Sequence, residues 1–177
     1  MELFDQEEDT GERVLPPLAE RIRPRILEDF VGQEHLVGKG RVLYDAIQKD
    51  RIFSMIFWGD PGVGKTTLAR IIAAQSKSDI YSLSAVSSGV KELREIIRKA
   101  GINRKSRGRR TILFIDEVHH FNKSQQDALL SSVEDGTVIF IGSTTENPSF
   151  EIIPPLLSRC RVLRFEPLGE ENLLRIL

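Results

Sequence analysis

Gly59-Asp60-Pro61-Gly62-Val63-Gly64-Lys65-Thr66 follows the apolar run Ile52-Phe53-Ser54-Met55-Ile56-Phe57-Trp58 and precedes a segment with Leu68, Ile71 and Ile72 at helical spacing. The run is apolar on both alternating faces, as a strand buried inside a parallel sheet must be. The segment satisfies G-x-x-x-x-G-K-[ST] between a strand and a helix, the context in which that pattern has a mechanism. Glycines let the backbone curl so that its N–H groups point inward around phosphate oxygens. The helix opening at Lys65 adds unsatisfied N–H groups and the positive end of its dipole. Gly59, Asp60, Pro61, Gly62, Val63 and Gly64 thus form a cradle, continued by Lys65, Thr66 and Thr67. Lys65 is expected to reach the β- and γ-phosphates, and the Thr66 hydroxyl to hold Mg²⁺.

Outward from this loop, strands and helices alternate. Residues 65–74 read as a helix and 80–83 as a short strand. Residues 89–100 repeat apolar side chains at Val90, Leu93, Ile97 and Ala100, with Ser87 or Ser88 as N-cap. A buried strand follows at 111–115, then a helix at 122–134 with Asn122 and Gln125 in capping-box spacing and Gly136 as its stop. Strands at 138–142 and 162–165 complete the set. Strands separated by helices need crossover connections, so the reading is α/β, a five-stranded parallel sheet sandwiched by helices.

The run Ile112-Leu113-Phe114-Ile115 ends in Asp116-Glu117. Carboxylates at the carboxyl end of a buried strand face the phosphate loop across the top of the sheet. Asp116 suits a Mg²⁺ shell, and Glu117 is placed to orient or deprotonate a water for in-line attack on the γ-phosphate. A hydrolase needs such a glutamate and a small-molecule kinase does not. A structural ion pair is the competing reading, and the adjacent phosphate loop weighs against it. Asn122-Lys123-Ser124-Gln125 resembles a guanine-reading N-K-x-D but has Gln where the base-reading aspartate belongs. His119 and His120 are adjacent rather than i,i+4 and no cysteine pair accompanies them, so a surface or supporting role outranks metal ligation.

Composition sets the outer bounds. The chain has 177 residues, 40% hydrophobic and 29% charged, with 25 basic and 26 acidic side chains giving a net charge of -1. That balance disfavours a wholesale polybasic nucleic-acid binder but permits local patches. A single cysteine, Cys160, excludes a disulfide framework and suits a reducing compartment. The amino terminus is acidic where a targeting peptide would be basic, and no apolar run spans a bilayer. A cytoplasmic protein without membrane contact is expected. Residues 1–16 read as an acidic flexible tail, 17–168 as the nucleotide-binding core, and 169–177 as the start of a further helix. Arg21, Arg23 and Arg25, broken by Pro24, suggest an extended approach segment. The densest basic run is Arg98, Lys99, Arg104, Lys105, Arg107, Arg109 and Arg110. It reads as a solvated loop between a helix and a strand, with a contact to DNA phosphates or a neighbouring subunit as the alternative.

The phosphate loop, Asp116-Glu117 and Leu157-Ser158-Arg159-Cys160 together resemble the AAA+ ATPases, especially the clamp-loader clade. Arg21-Ile22-Arg23-Pro24-Arg25, Phe30-Val31-Gly32-Gln33-Glu34-His35-Leu36, Ser87 to Arg94, His120 to Asp127 and Ile141-Gly142-Ser143-Thr144-Thr145-Glu146-Asn147-Pro148-Ser149-Phe150 are similar to the replication-associated recombination protein A group within it. The match runs from about Pro17 to Leu168. His119-His120 stands where that group usually has a single histidine and then arginine.

The resemblance implies further roles. Thr144 or Thr145 would sense the γ-phosphate, with a simple ST-turn as the competing reading. Arg159 occupies the position of the arginine finger that reaches the ATP of an adjacent subunit. Val31, Gly32 and Gln33 match the segment lining the adenine pocket. AAA+ modules carry a helical lid after the core, and here only its beginning is present. Leu173, Leu174, Ile176 and Leu177 open an amphipathic helix with nothing left to pack on, the mark of a fragment with weak activity of its own. The implied activity is Mg²⁺-dependent ATP hydrolysis, remodelling DNA or protein–DNA structures at stalled or damaged replication forks. A clamp-loader subunit and a nucleotide-gated adaptor with little hydrolysis are the alternatives. The implied partners are forked or single-stranded DNA, replication and repair proteins, and further copies of the same chain.

Overall fold

The structure, a computed structural model, describes residues 17–176. The acidic stretch expected to be a flexible tail, 1–16, lies outside the described residues. Five strands form one sheet: β1 (Met55–Trp58), β2 (Asp79–Ser84), β3 (Thr111–Asp116), β4 (Ile139–Thr144) and β5 (Arg161–Arg164). All pairings are parallel, in the order β2-β3-β4-β1-β5. The helices are α1 (Leu18–Arg21), α2 (Glu34–Val37), α3 (Val42–Gln48), α4 (Lys65–Gln75), α5 (Val90–Arg107), α6 (Lys123–Glu134), α7 (Pro148–Glu151), α8 (Pro154–Leu157) and α9 (Glu170–Ile176).

Strand period explains why the sheet is covered on both sides. Met55, Phe57, Ile112, Phe114 and Ile141 point to one face and pack with Leu68, Ile71 and Ile72 of α4 and Leu43 and Ile47 of α3. Ile56, Leu113, Ile115 and Phe140 point to the other, against Leu93, Ile96 and Ala100 of α5, Leu129 of α6 and Leu156 of α8. β1 and the core stretches of β3 and β4 are therefore apolar on both faces, as their sequences suggested, whereas the edge strands β2 and β5 carry polar and exposed positions. Trp58 stands in register with Thr144 on one side and Arg164 on the other. Ser84 likewise stands beside Asp116. Because every strand runs the same way, all these carboxyl ends lie at one end of the sheet. No helix of the described residues is long and apolar enough to cross a membrane.

Several boundaries differ from the sequence reading. β1 begins at Met55 rather than Ile52, where its two ladders open with Met55 opposite Ile141 and Arg161. Ile52 and Phe53 still pack against the core. Helix α5 continues past Ala100 to Arg107, so Arg98, Lys99, Arg104, Lys105 and Arg107 lie on a helix and not in a loop. Gly101 weakens a helix interior by only ~1 kcal/mol relative to alanine. The buried Leu93, Ile96 and Ala100 anchor the helix before it, and Arg104 donates 2.8 Å to the Asp135 carbonyl after it. The stop is Gly108 in the left-handed region. Arg109 pairs with Asp79 at 3.2 Å, and Arg110 donates to the Asp50 and Ser76 carbonyls. Part of the basic run is thus spent on internal contacts.

The N-cap of α5 is Gly89, without a side-chain bond. Ser87 and Ser88 instead turn back through their N–H groups to the Ser84 carbonyl. Arg21, expected in an extended segment, closes α1. None of the described side chains of α9 is buried.

Two outcomes test this packing. Leu113→Ala, in the middle of β3, should lower unfolding free energy by about 2–5 kcal/mol in a urea titration; a loss below 1 kcal/mol would mean the site is not close-packed. Burial pushes the Cys160 thiol up to about 12. Iodoacetamide at pH 8 should therefore leave it unmodified in the folded chain, whereas labelling at the unfolded rate would contradict the packing.

Candidate functional site

The loop between β1 and α4 is shaped by its glycines. Gly62 and Gly64 adopt φ of 79° and 100°, open to glycine at little strain. A side chain at Gly59 would lie 2.7 Å from the Phe165 carbonyl oxygen, so only glycine lets β1 leave the sheet so close to β5. Lys65, the first residue of α4, folds back over this loop. Its ammonium donates to the Gly59 carbonyl at 2.5 Å and the Asp60 carbonyl at 2.8 Å. The residue is only 7% exposed. Burial lowers its pKa from the ordinary lysine value, opposed by the negative charges of Glu117, Asp116 and Asp60. A cation held by neutral carbonyls beside a ring of backbone N–H groups is a site built for an anion.

Across the sheet end stands the acidic pair. Asp116 ends β3, and the buried Ser143 of neighbouring β4 donates its hydroxyl to the Asp116 carboxylate. The same hydroxyl accepts the Glu117 N–H at 3.3 Å. Glu117 has φ of 52°, a left-handed conformation that a non-glycine residue adopts rarely and mostly where function holds it. Its Oε2 lies 3.2 Å from His119 Nδ1 and 3.5 Å from the Thr145 hydroxyl. Thr144 is fully buried; its Oγ1 accepts the Glu146 N–H at 3.0 Å and donates to the Glu146 carbonyl at 3.2 Å. The ST-turn that the sequence left open is found at Thr144, while Thr145 carries the hydroxyl near Glu117.

Between loop and carboxylates lies a cavity of about 900 Å³. Val31, Pro61, Gly62, Val63, Gly64, Lys65, Thr66, Thr67, Asp116 and Glu117 border it, as do Arg21, Arg23, Arg25 and Arg175. The Thr66 hydroxyl and the Asp116 carboxylate are hard oxygen donors of the kind Mg²⁺ accepts. Gly59 and Asp60 stand behind the cavity wall, contributing the carbonyls that hold Lys65. Gly32, at φ of 83°, is pressed against Leu168, where a Cβ would lie 2.6 Å from Cδ2.

Gln33 belongs to the segment that the resemblance puts at an adenine pocket through backbone and apolar contacts, and its amide is engaged elsewhere. Its side chain is buried in the interior, where Nε2 donates to the Glu166 carbonyl at 2.7 Å and Oε1 accepts the Glu166 N–H at 2.9 Å. It fastens the segment before α2 to the exit of β5. Arg159 does not join the site. It precedes the amino end of β5, at the opposite end of the sheet from the phosphate loop, paired with Glu134 and donating to the Pro155 carbonyl at 2.6 Å. Asn122 and Gln125 form a reciprocal capping box at 2.9 Å each way, which accounts for that segment without a base. Ser143 was given no role by the sequence, and the supporting role open to His119 takes its specific form from Thr144 on β4, a partner that only spatial proximity reveals.

Residues 55–168 match the family described as "ATPase family associated with various cellular activities (AAA)". Replication-associated recombination protein A of Escherichia coli (strain K12) is 53% identical over 169 residues, 96% of this chain and 38% of that protein. ATPase WRNIP1 of Dictyostelium discoideum is 52% identical over 157 residues, 89% of this chain and 18% of that one. Among solved structures, Thermotoga maritima RuvB, titled a Holliday junction branch migration motor, superposes with a TM-score of 0.70 at 31% identity, covering 88% of this chain and 52% of that one. The chain spans 38% of the length of its Escherichia coli relative.

Ser143→Ala would strip the Asp116 carboxylate and the Glu117 N–H of a common partner. The expected loss is about 1–2 kcal/mol of stability, read from the denaturation midpoint, and an unchanged midpoint would mean the hydroxyl carries no weight.

Proposed function

The chain belongs to the AAA family of ATPases, and on that premise we propose that it is the ATP-binding and ATP-hydrolysing core of a protein acting on DNA or protein–DNA complexes at stalled replication forks. One observation carries the reading: a buried Lys65 ammonium waits on loop carbonyls, opposite Asp116 and Glu117 across a cavity large enough for a nucleotide. The likeness to replication-associated recombination protein A supports the setting in replication and recombination.

The chain's groups divide the work. Backbone N–H groups of residues 62–65, beyond Pro61, would surround the phosphates, and Lys65 would exchange its carbonyl partners for β- and γ-oxygens. Thr66 and Asp116 would hold Mg²⁺, which neutralises phosphate charge when bound. Glu117 takes the proton of the attacking water, with Oε1 as the acceptor because Oε2 already faces His119 and Thr145. Thr145 is the γ-phosphate sensor, and Thr144 anchors the turn that presents it. Val31, which borders the cavity, would line its base end. Arg159 lies too far from its own loop to serve it, so it works on the nucleotide of a neighbouring copy in a homo-oligomer, releasing Glu134 to do so. The cavity wall at Arg175 belongs to α9, whose apolar side chains are exposed, and turnover by this stretch alone is accordingly slow.

Glu117→Gln in the complete protein should preserve ATP affinity and lower turnover by about 10²–10⁴-fold; undiminished turnover in a phosphate-release assay would reject the assignment. Arg159→Ala should also lose turnover. Mixing it with Glu117→Gln subunits should restore part of it, because mixed interfaces pair an intact glutamate with an intact arginine. A mixture no faster than its components would rule out action in trans.

A further inference from the structure

His119 lies two residues beyond Glu117, in the single turn Val118–His120. That turn is pressed onto β4 at Gly142, where a side chain would stand 3.1 Å from Val118 Cγ1. Val118 itself is fully buried, so the turn has a fixed seat. The His119 side chain is 13% exposed, and the His120 ring packs on it with centroids 4.2 Å apart. Both translation and rotation of the His119 ring are thereby restricted.

One nitrogen of that ring meets two partners. Nδ1 is 3.2 Å from Glu117 Oε2 and 3.0 Å from Thr144 Oγ1. The Thr144 hydroxyl has a single proton, and the Glu146 carbonyl is there to take it. Its oxygen already accepts the Glu146 N–H and has one lone pair left. If Nδ1 were bare, its lone pair would face the Glu117 carboxylate. If Nδ1 carries the proton, the carboxylate, the hydroxyl and the imidazole are all satisfied together. The network therefore selects the Nδ1–H tautomer.

Resting on the assignment of Glu117 as the water-activating residue, we propose that His119 is the positioning residue of that glutamate. Its Nδ1–H holds Oε2, leaves Oε1 for the water, and through Thr144 locks this pose to the end of β4 beside Thr145. The Thr145 hydroxyl reaches the same Oε2 only at 3.5 Å, so the His119 contact at 3.2 Å is the shorter of its two tethers. His119 touches neither phosphate nor water in this scheme; it acts only through Glu117. A change at the end of β4 would consequently reach the carboxylate through one side chain.

The test uses the complete protein and four variants: Glu117→Gln, His119→Ala, His119→Asn and the Glu117→Gln/His119→Ala double. Asparagine can return a donor near the Nδ1 position. With Glu117→Gln inactive, His119→Ala should lower kcat by roughly 10- to 100-fold, as expected for a misplaced catalytic group, while the Kd for a fluorescent ATP analogue stays unchanged. His119→Asn should recover most of kcat, and the double variant should be no slower than Glu117→Gln alone. Full-speed His119→Ala, or equal losses in affinity and kcat that asparagine does not rescue, would overturn the proposal. Retained turnover in Glu117→Gln would instead remove the premise and the proposal with it. Imidazole ¹⁵N shifts of the folded chain give an independent reading: a protonated Nδ1 is expected, and a bare one contradicts the tether.

Discussion

A lysine ammonium buried among carbonyl dipoles sets the terms for the rest of this molecule. Removing a cation from water is costly, and two neutral oxygens compensate incompletely, so burial shifts Lys65 toward its neutral form. The arrangement persists because the loop is over-determined: Gly59 is packed against Phe165, Gly64 against Phe30, and α4 is seated by Leu68, Ile71 and Ile72. The phosphate groups of a nucleotide would supply the missing negative charge. The loop is preorganised for an anion, and the ordering cost is met during folding rather than at binding.

The sheet order explains how the remaining groups gather. β3, β4 and β1 are neighbours, and their carboxyl ends deliver Asp116 and Glu117, then Ser143 to Thr145, then the phosphate loop, in consecutive positions. Parallel strands with helical crossovers place all such ends on one side, where open α/β sheets bind ligands. The central strand β4 gives both of its functions through small polar groups. Ser143 holds Asp116, and Thr144 engages His119. Gln33 closes the construction from outside the sheet by joining the segment before α2 to Glu166.

Much of this was legible because it is local. The strand–loop–helix around Gly59 to Thr66, the acidic end of β3, the capping box of α6 and the double-sided burial of the strands each follow from residues adjacent in sequence. The run of α5 through Gly101 was hidden, since the anchors that offset a glycine are a buried face shared with β3 and β4 and a carbonyl at Asp135. The order of the strands has no local signature at all. Ser143 was missed, and the specific bonds of His119 and of the interior Gln33 were hidden, because Glu117, Thr144 and Glu166 stand 26, 25 and 133 residues away from them in the chain. Arg159 lies away from the cavity of its own copy, and its assignment to the nucleotide of an adjacent subunit comes from the resemblance alone.

Calorimetric titration of ATP with Mg²⁺ into the chain bears most directly on the claim that Lys65 is a cation awaiting phosphate. A saturable site is predicted for the wild type, weakened by at least about tenfold in Lys65→Ala, corresponding to about 1.4 kcal/mol. Binding of equal strength in both, or no heat of binding in the wild type, would contradict it.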